Sequence, residues 1–133
     1  MNAATSSLTG GCLCGAVRYA ISAPMRGVSF CHCGQCRRTH GHFAAYTGVA
    51  RDGFALTESR GLKWYRSSDQ ARRGFCGECG ASLFWDGSGL DHMAVAAGSL
   101  DDATGLEPLG HIYVADKGAY YQIDDGLPQR PQG

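Results

Sequence analysis

The sequence predicts a single, mainly β domain with little helix, stapled by metal ligands. Three observations carry this expectation. Twenty glycines punctuate the 133 residues, about twice the ordinary share of roughly 7%. Between them lie short runs rich in β-branched and aromatic residues, the pattern of many strands joined by turns. Seven cysteines fall into three groups: Cys12-Leu13-Cys14, Cys31-His32-Cys33-Gly34-Gln35-Cys36 and Cys76-Gly77-Glu78-Cys79. Thiols this close in sequence close no useful disulfide loop, but they converge readily on one cation.

Taken in order, residues 15–22 carry Val17, Tyr19 and Ile21 at period two, the mark of a half-buried strand that Pro24 ends. A strand over 26–30 delivers the chain into the Cys31 group. Residues 43–49 form a third, closed by the Arg51-Asp52-Gly53 turn. Runs 62–66 and 72–76 flank Ser67-Ser68-Asp69-Gln70 and read as a hairpin ending at the last cysteine pair. Runs 81–85 and 92–97 make another hairpin around residues 86–89. Short strands at 112–114 and 120–123 complete the pattern. No long stretch places apolar residues at i, i+3, i+4 and i+7, so helix content is expected to be low. The domain is expected to span 8–128, with 1–7 and 129–133 as flexible ends.

Composition excludes several classes of function. Twelve basic and twelve acidic residues cancel, which argues against nucleic acid or an anionic membrane surface as partner. No apolar run approaches the ~20 residues needed to cross a bilayer. The first ten residues lack a basic start and an apolar stretch, so no secretory signal is expected. A cytoplasmic, reducing location follows, in which cysteines act as ligands before they act as bridges. There is no glycine-rich phosphate loop and no Ser/His/Asp arrangement. Among Trp64, Tyr65, Phe75, Phe84 and Trp85, most are expected in the core and one or two at a pocket wall.

Cys76-Gly77-Glu78-Cys79-Gly80 has the form of a zinc knuckle. Gly80 can take positive φ without steric cost, letting backbone N–H groups turn toward the thiolates. Cys12 and Cys14, in a second glycine-flanked turn, are the best partners for a tetrahedral four-cysteine site. Structural zinc contributes about 10–16 kcal/mol in small peptides, against ~5–15 kcal/mol for whole domains. Such a site would be a condition of folding. Buried free cysteines in a β core are the plainer alternative.

Cys31, Cys33 and Cys36 supply three ligands to a second zinc with no evident fourth. Three protein ligands and an open position are the pattern of a catalytic site. Three thiolates weaken the power of zinc to acidify water, so a substrate thiolate suits the site better than hydroxide. Arg37 and Arg38 either offset the thiolate charge or read a substrate carboxylate. His40 and His42 are candidates for a fourth ligand, which would close the site into a structural staple, or for a proton shuttle. His32 is expected to point away from the metal. His92 and His111 sit in strand-like segments and read as core or surface residues.

Several motifs together resemble a known family: Gly10-Gly-Cys-Leu-Cys-Gly-Ala-Val-Arg-Tyr19, Cys31-His-Cys-Gly-Gln-Cys-Arg-Arg38, Lys63-Trp-Tyr-Arg-Ser-Ser68, Arg73-Gly-Phe-Cys-Gly-Glu-Cys-Gly80, and His111-Ile-Tyr-Val114 with Asp125-Gly-Leu-Pro128. The chain resembles the glutathione-dependent formaldehyde-activating enzyme / centromere protein V family over about residues 9–128. The resemblance implies a β-tent of stacked antiparallel sheets. It implies structural zinc on Cys12, Cys14, Cys76 and Cys79, and catalytic zinc on Cys31, Cys33 and Cys36. It implies joining of formaldehyde to a small thiol, glutathione, as a carbon–sulfur lyase or synthase. The alternative expectation is a non-catalytic binding module in which both zincs are structural.

Overall fold

Val17, Tyr19 and Ile21 recur at period two and all three are fully buried, so the strand that carries Tyr19 and Ile21, with Val17 just before it, has one inward face. The computed structural model describes residues 8–103 and 105–133. Strands β1 (Leu8–Gly11), β2 (Arg18–Ile21) and β5 (Phe54–Glu58) form a three-stranded sheet in the order β1-β2-β5. A second sheet has seven strands in the order β10 (Pro108–Ile112), β3 (Val28–Cys31), β4 (Ala44–Ala50), β9 (His92–Ala96), β8 (Ser82–Gly87), β7 (Ala71–Cys76) and β6 (Leu62–Ser68). Every pairing is antiparallel except that of β10 with β3. Among the described residues one α-helix, α1 (Gly34–His40), follows β3. The expected mainly β class with little helix is what the chain adopts.

Residues from both sheets meet in the main core, where Tyr19 and Ile21 pack with Val49, Phe84, Met93 and Val95. The rings of Tyr19, Phe54 and Phe84 lie 5.2–5.7 Å apart, mostly edge to face, an arrangement that ring quadrupoles favour. β9 alternates: Met93 and Val95 join this core, while Ala94 and Ala96 turn to a second cluster with Cys36, Ala44 and Tyr46. The larger sheet is therefore buried on one face against the smaller sheet and builds a site on the other.

The strands expected at 15–22, 26–30, 43–49, 62–66, 72–76, 81–85 and 92–97 are present with shifted ends. Strands β1 and β5 and helix α1 were not anticipated. The strand expected at 112–114 lies earlier, at Pro108–Ile112, and 120–123 forms none. The outer edge of β10 is taken instead by the C-terminal segment. The N–H of His111 donates to Pro128 O (2.8 Å), and that of Arg130 donates to His111 O (2.9 Å). Residues 129–133, expected to form a flexible end, carry further backbone bonds: Tyr113 N–H to Gln132 O and Val114 N–H to Arg130 O. The expected flexible end at 1–7 lies outside the described residues. Among the described residues no helix is long and apolar enough to cross a membrane.

Candidate functional site

The cysteines converge as two sets, and within each set the sulfurs lie within 4.8 Å of one another. All seven are free thiols. The first set is Cys12, Cys14, Cys76 and Cys79. Cys76 ends β7, and the turn to β8 closes as a knuckle. Gly80 takes φ +80° and donates its N–H to Cys76 O at 2.8 Å. The N–H groups of Glu78 and Cys79 point at the Cys76 sulfur, each at 3.4 Å. In the β1–β2 turn, Val17 donates its N–H to the Cys12 sulfur at 3.2 Å. Cys12 and Cys14 are 3.8 Å apart, as are Cys14 and Cys76. A tetrahedron with metal–sulfur bonds of ~2.3 Å has edges of about 3.8 Å, far from the ~2.05 Å of a disulfide. The donor set fits a tetrahedral thiophilic ion. The Ala81 N–H, and then that of Cys14, pull the Cys79 thiol down to about 6.

Cys31, Cys33 and Cys36 form the second set. Cys31 ends β3, and Cys33 is the N-cap of α1, its sulfur accepting from the Cys36 N–H at 3.4 Å. Cys36 is buried. A hydrogen bond from Cys31 leads the causes that pull Cys36 down to about 6, with Arg73 adding to it against burial. The same hydrogen bond pushes Cys31 well up. Opposite shifts of neighbouring sulfurs mark thiols close enough for one divalent ion to join.

These three cysteines line a cavity of about 570 Å³, with Arg26, Gln35, Tyr46, Arg73, Trp85, His92 and Tyr113 among its other walls. Arg73, on β7, is only 7% exposed. Its Nη2 reaches Cys36 Sγ at 3.6 Å and Gln35 Oε1 at 3.3 Å. Its Nε has no hydrogen-bond partner among the described residues. Tyr113 stands at φ +57°, in the left-handed region that a bulky side chain enters only when its surroundings demand it. No set of four ligands forms here among the described residues.

The other candidates fall elsewhere. His40 bonds the Tyr46 hydroxyl at 3.0 Å and His42 bonds that of Tyr120, so neither joins the three sulfurs. Arg37 and Arg38 occupy the last turn of α1, where their charge complements the helix dipole, and neither lines the cavity. The arginines that do are Arg26 and Arg73, which sequence reasoning missed. Arg73 opens the Arg73-Gly-Phe-Cys76 run, where a strand of period two ending on ligands was the available signal.

His32 turns away from the sulfurs, as expected, and is 1% exposed. Its Nε2 meets His111 Nδ1 at 2.8 Å, and His111 Nε2 meets Asp125 at 2.8 Å. Tyr121 closes the other end on His32 Nδ1. The hydrogen bond from His111 holds Asp125 below the usual carboxylate range. This chain of groups binds the C-terminal segment to the back of β3, behind the cysteines.

A family model described as the glutathione-dependent formaldehyde-activating enzyme matches residues 7–116. Among solved structures, the crystal structure of a Rhodobacter sphaeroides protein is similar at a TM-score of 0.62 and 21% identity, covering 75% of this chain and 97% of the other. That likeness speaks to the fold alone.

Proposed function

Since this chain belongs to the glutathione-dependent formaldehyde-activating enzyme family, we propose that it makes or breaks the carbon–sulfur bond between a small thiol, glutathione foremost, and formaldehyde. One observation carries the reading: a three-thiol set lines the cavity, while a separate four-thiol set can complete a tetrahedron by itself. We assign zinc to both, structural on Cys12, Cys14, Cys76 and Cys79 and catalytic on Cys31, Cys33 and Cys36. When bound at the second set, zinc would supply a Lewis-acidic position that favours the ionised form of an incoming thiol.

The chain's own residues supply the rest. Arg73 beside Cys36 offsets the negative charge that gathers on the sulfurs. Tyr46, Trp85 and Ile112 wall the cavity and hold thiol and carbonyl together, which removes much of the entropic cost of their encounter. As sulfur attacks the carbonyl carbon, the thiol proton leaves and the carbonyl oxygen takes one up. His92 is the imidazole among the described cavity residues and the group placed to carry that proton. The seven free thiols suit a reducing compartment such as the cytoplasm.

Exchange NMR on glutathione and formaldehyde, with and without the zinc-loaded protein, tests the reading. Formation of S-(hydroxymethyl)glutathione is expected to accelerate with wild type and to return to the uncatalysed rate with Cys36→Ser. Zinc content should be two per chain in wild type and one in that variant. Absence of acceleration by wild type would leave a binding module with two structural zincs.

A further inference from the structure

The proposed reaction needs a thiol and asks for no charge elsewhere on the thiol's carrier, yet the cavity is built around charge. Two arginines line it, and no aspartate or glutamate does among the described residues. Four other guanidiniums find carboxylates: Arg18 with Asp101, Arg51 and Arg72 with Asp86, Arg60 with Glu58. Arg26 and Arg73 make no ion pair among the described residues. Unpaired buried charge is costly, so Arg73 calls for an anion, and Arg26 adds a second cation to the cavity wall.

The two differ in what stands near them. Arg73 is buried against Cys36. Three thiolates around a divalent ion leave one negative charge, and Arg73 is its counter-charge. Arg26 is exposed and has no sulfur within hydrogen-bond reach. Its Nη1 is fixed by neutral acceptors, donating to Gly27 O at 3.1 Å, Ser29 Oγ at 3.0 Å and Tyr46 O at 3.4 Å. Those bonds orient the guanidinium without neutralising it. Gly48 of β4 makes the room: a Cβ there would stand 3.0 Å from Arg26 Nε. Among the described residues Nε and Nη2 make no hydrogen bond, leaving one edge of the fork for a ligand. A guanidinium fork matches a carboxylate with two parallel bonds.

We propose that Arg26 is the specificity-determining residue of the cavity, reading a carboxylate carried by the substrate thiol, while Arg73 balances the cysteine sulfurs and reads no part of the substrate. The proposal rests on the thiol reading of this same site and assigns the carboxylate contact to Arg26 in place of Arg37 and Arg38.

Calorimetric titration of the zinc-loaded protein with glutathione, its dimethyl ester and S-methylglutathione tests it. Wild type is expected to bind the free acid at least about tenfold more tightly than the ester. Arg26→Gln should bring the acid down to the affinity of the ester, leave the ester unchanged and retain two zincs per chain. Arg73→Gln should weaken acid and ester alike and preserve their ratio. Equal binding of acid and ester by wild type, or a tenfold preference surviving Arg26→Gln, overturns the proposal; so does loss of the preference in Arg73→Gln alone. S-methylglutathione separates this result from the fate of the thiol reading. If it binds as well as glutathione and still depends on Arg26, the carboxylate contact stands and the thiol reading falls. If acid and ester bind equally, both more tightly than S-methylglutathione, the thiol reading stands and the carboxylate contact falls.

Discussion

Cys33 does two jobs at once. Its sulfur caps α1 by accepting from the Cys36 N–H, a task that serine or aspartate usually performs, and it stands among the three thiols at the cavity. A helix of seven residues with a cysteine cap offers neither the periodicity nor the usual cap signal, which is why the sequence showed ligands there and no helix. Gly10 is another residue whose role depends on its neighbours. A Cβ at Gly10 would fall 2.3 Å from the Tyr19 hydroxyl and 2.6 Å from Ser99 O. Tyr19 is fully buried and bonds Ser99 Oγ at 2.7 Å, so it has little room to yield. Gly10→Ala should lower stability by about 1–3 kcal/mol, read as a shift in urea midpoint with an unchanged slope. A midpoint equal to wild type would show that β1 can move away from Tyr19 at no cost.

At the scale of elements, β7 and β8 of the larger sheet are tied to the turn after β4 by one carboxylate. Asp86 of β8 receives Arg51 Nη2 at 2.7 Å and Arg72 Nε at 2.9 Å, joining the turn after β4 to two strands. Burial alone would raise its pKa, but the hydrogen bonds from Arg51 and Arg72 outweigh burial and lower it. The folded state thus holds the ionised form more strongly than the unfolded chain does. That contribution is fully present above the ordinary carboxylate value of ~3.9 and is lost as pH falls through the lower folded value. Asp86→Asn should cost roughly 1–3 kcal/mol at neutral pH. The gap between variant and wild type should close in acid. Denaturant midpoints of both proteins at pH 7 and pH 3 measure it, and a gap independent of pH would mean that packing, not charge, is what Asp86 provides.

For the molecule as a whole, the two cysteine sets differ in what they span. The four-thiol set joins the β1–β2 turn to the β7–β8 turn, and so ties the small sheet to the large one. The three-thiol set lies within β3 and the start of α1. Metal that closes a long loop removes more freedom from the unfolded chain than metal that closes a short one. Cys79→Ser is therefore expected to lose most of the soluble yield and to lower the thermal midpoint well below that of Cys33→Ser. Cys33→Ser should stay folded with one zinc. Equal losses in the two variants would remove the division into a structural and a functional set.

The sequence by itself determined most of the strands and the two sets of thiols that could hold a metal. Alternation at period two is local, and so is the spacing of thiols in C-x-C and C-x-x-C turns; both write their geometry into neighbouring residues. The first four-thiol set could even be paired across sixty residues, because a tetrahedral ion needs four donors and only one other glycine-flanked pair was to hand. Only the tertiary structure decided what surrounds the second set. Arg26, in the segment before β3, and Arg73, on β7, line the cavity, while Arg37 and Arg38, adjacent to Cys36 in sequence, lie along α1 outside it. His32 finds His111, Asp125 and Tyr121 only once β10 and the C-terminal segment have paired beside β3. Such contacts depend on sheet order and on which edge the tail occupies, and these are set by the burial of the whole chain, which no local pattern records.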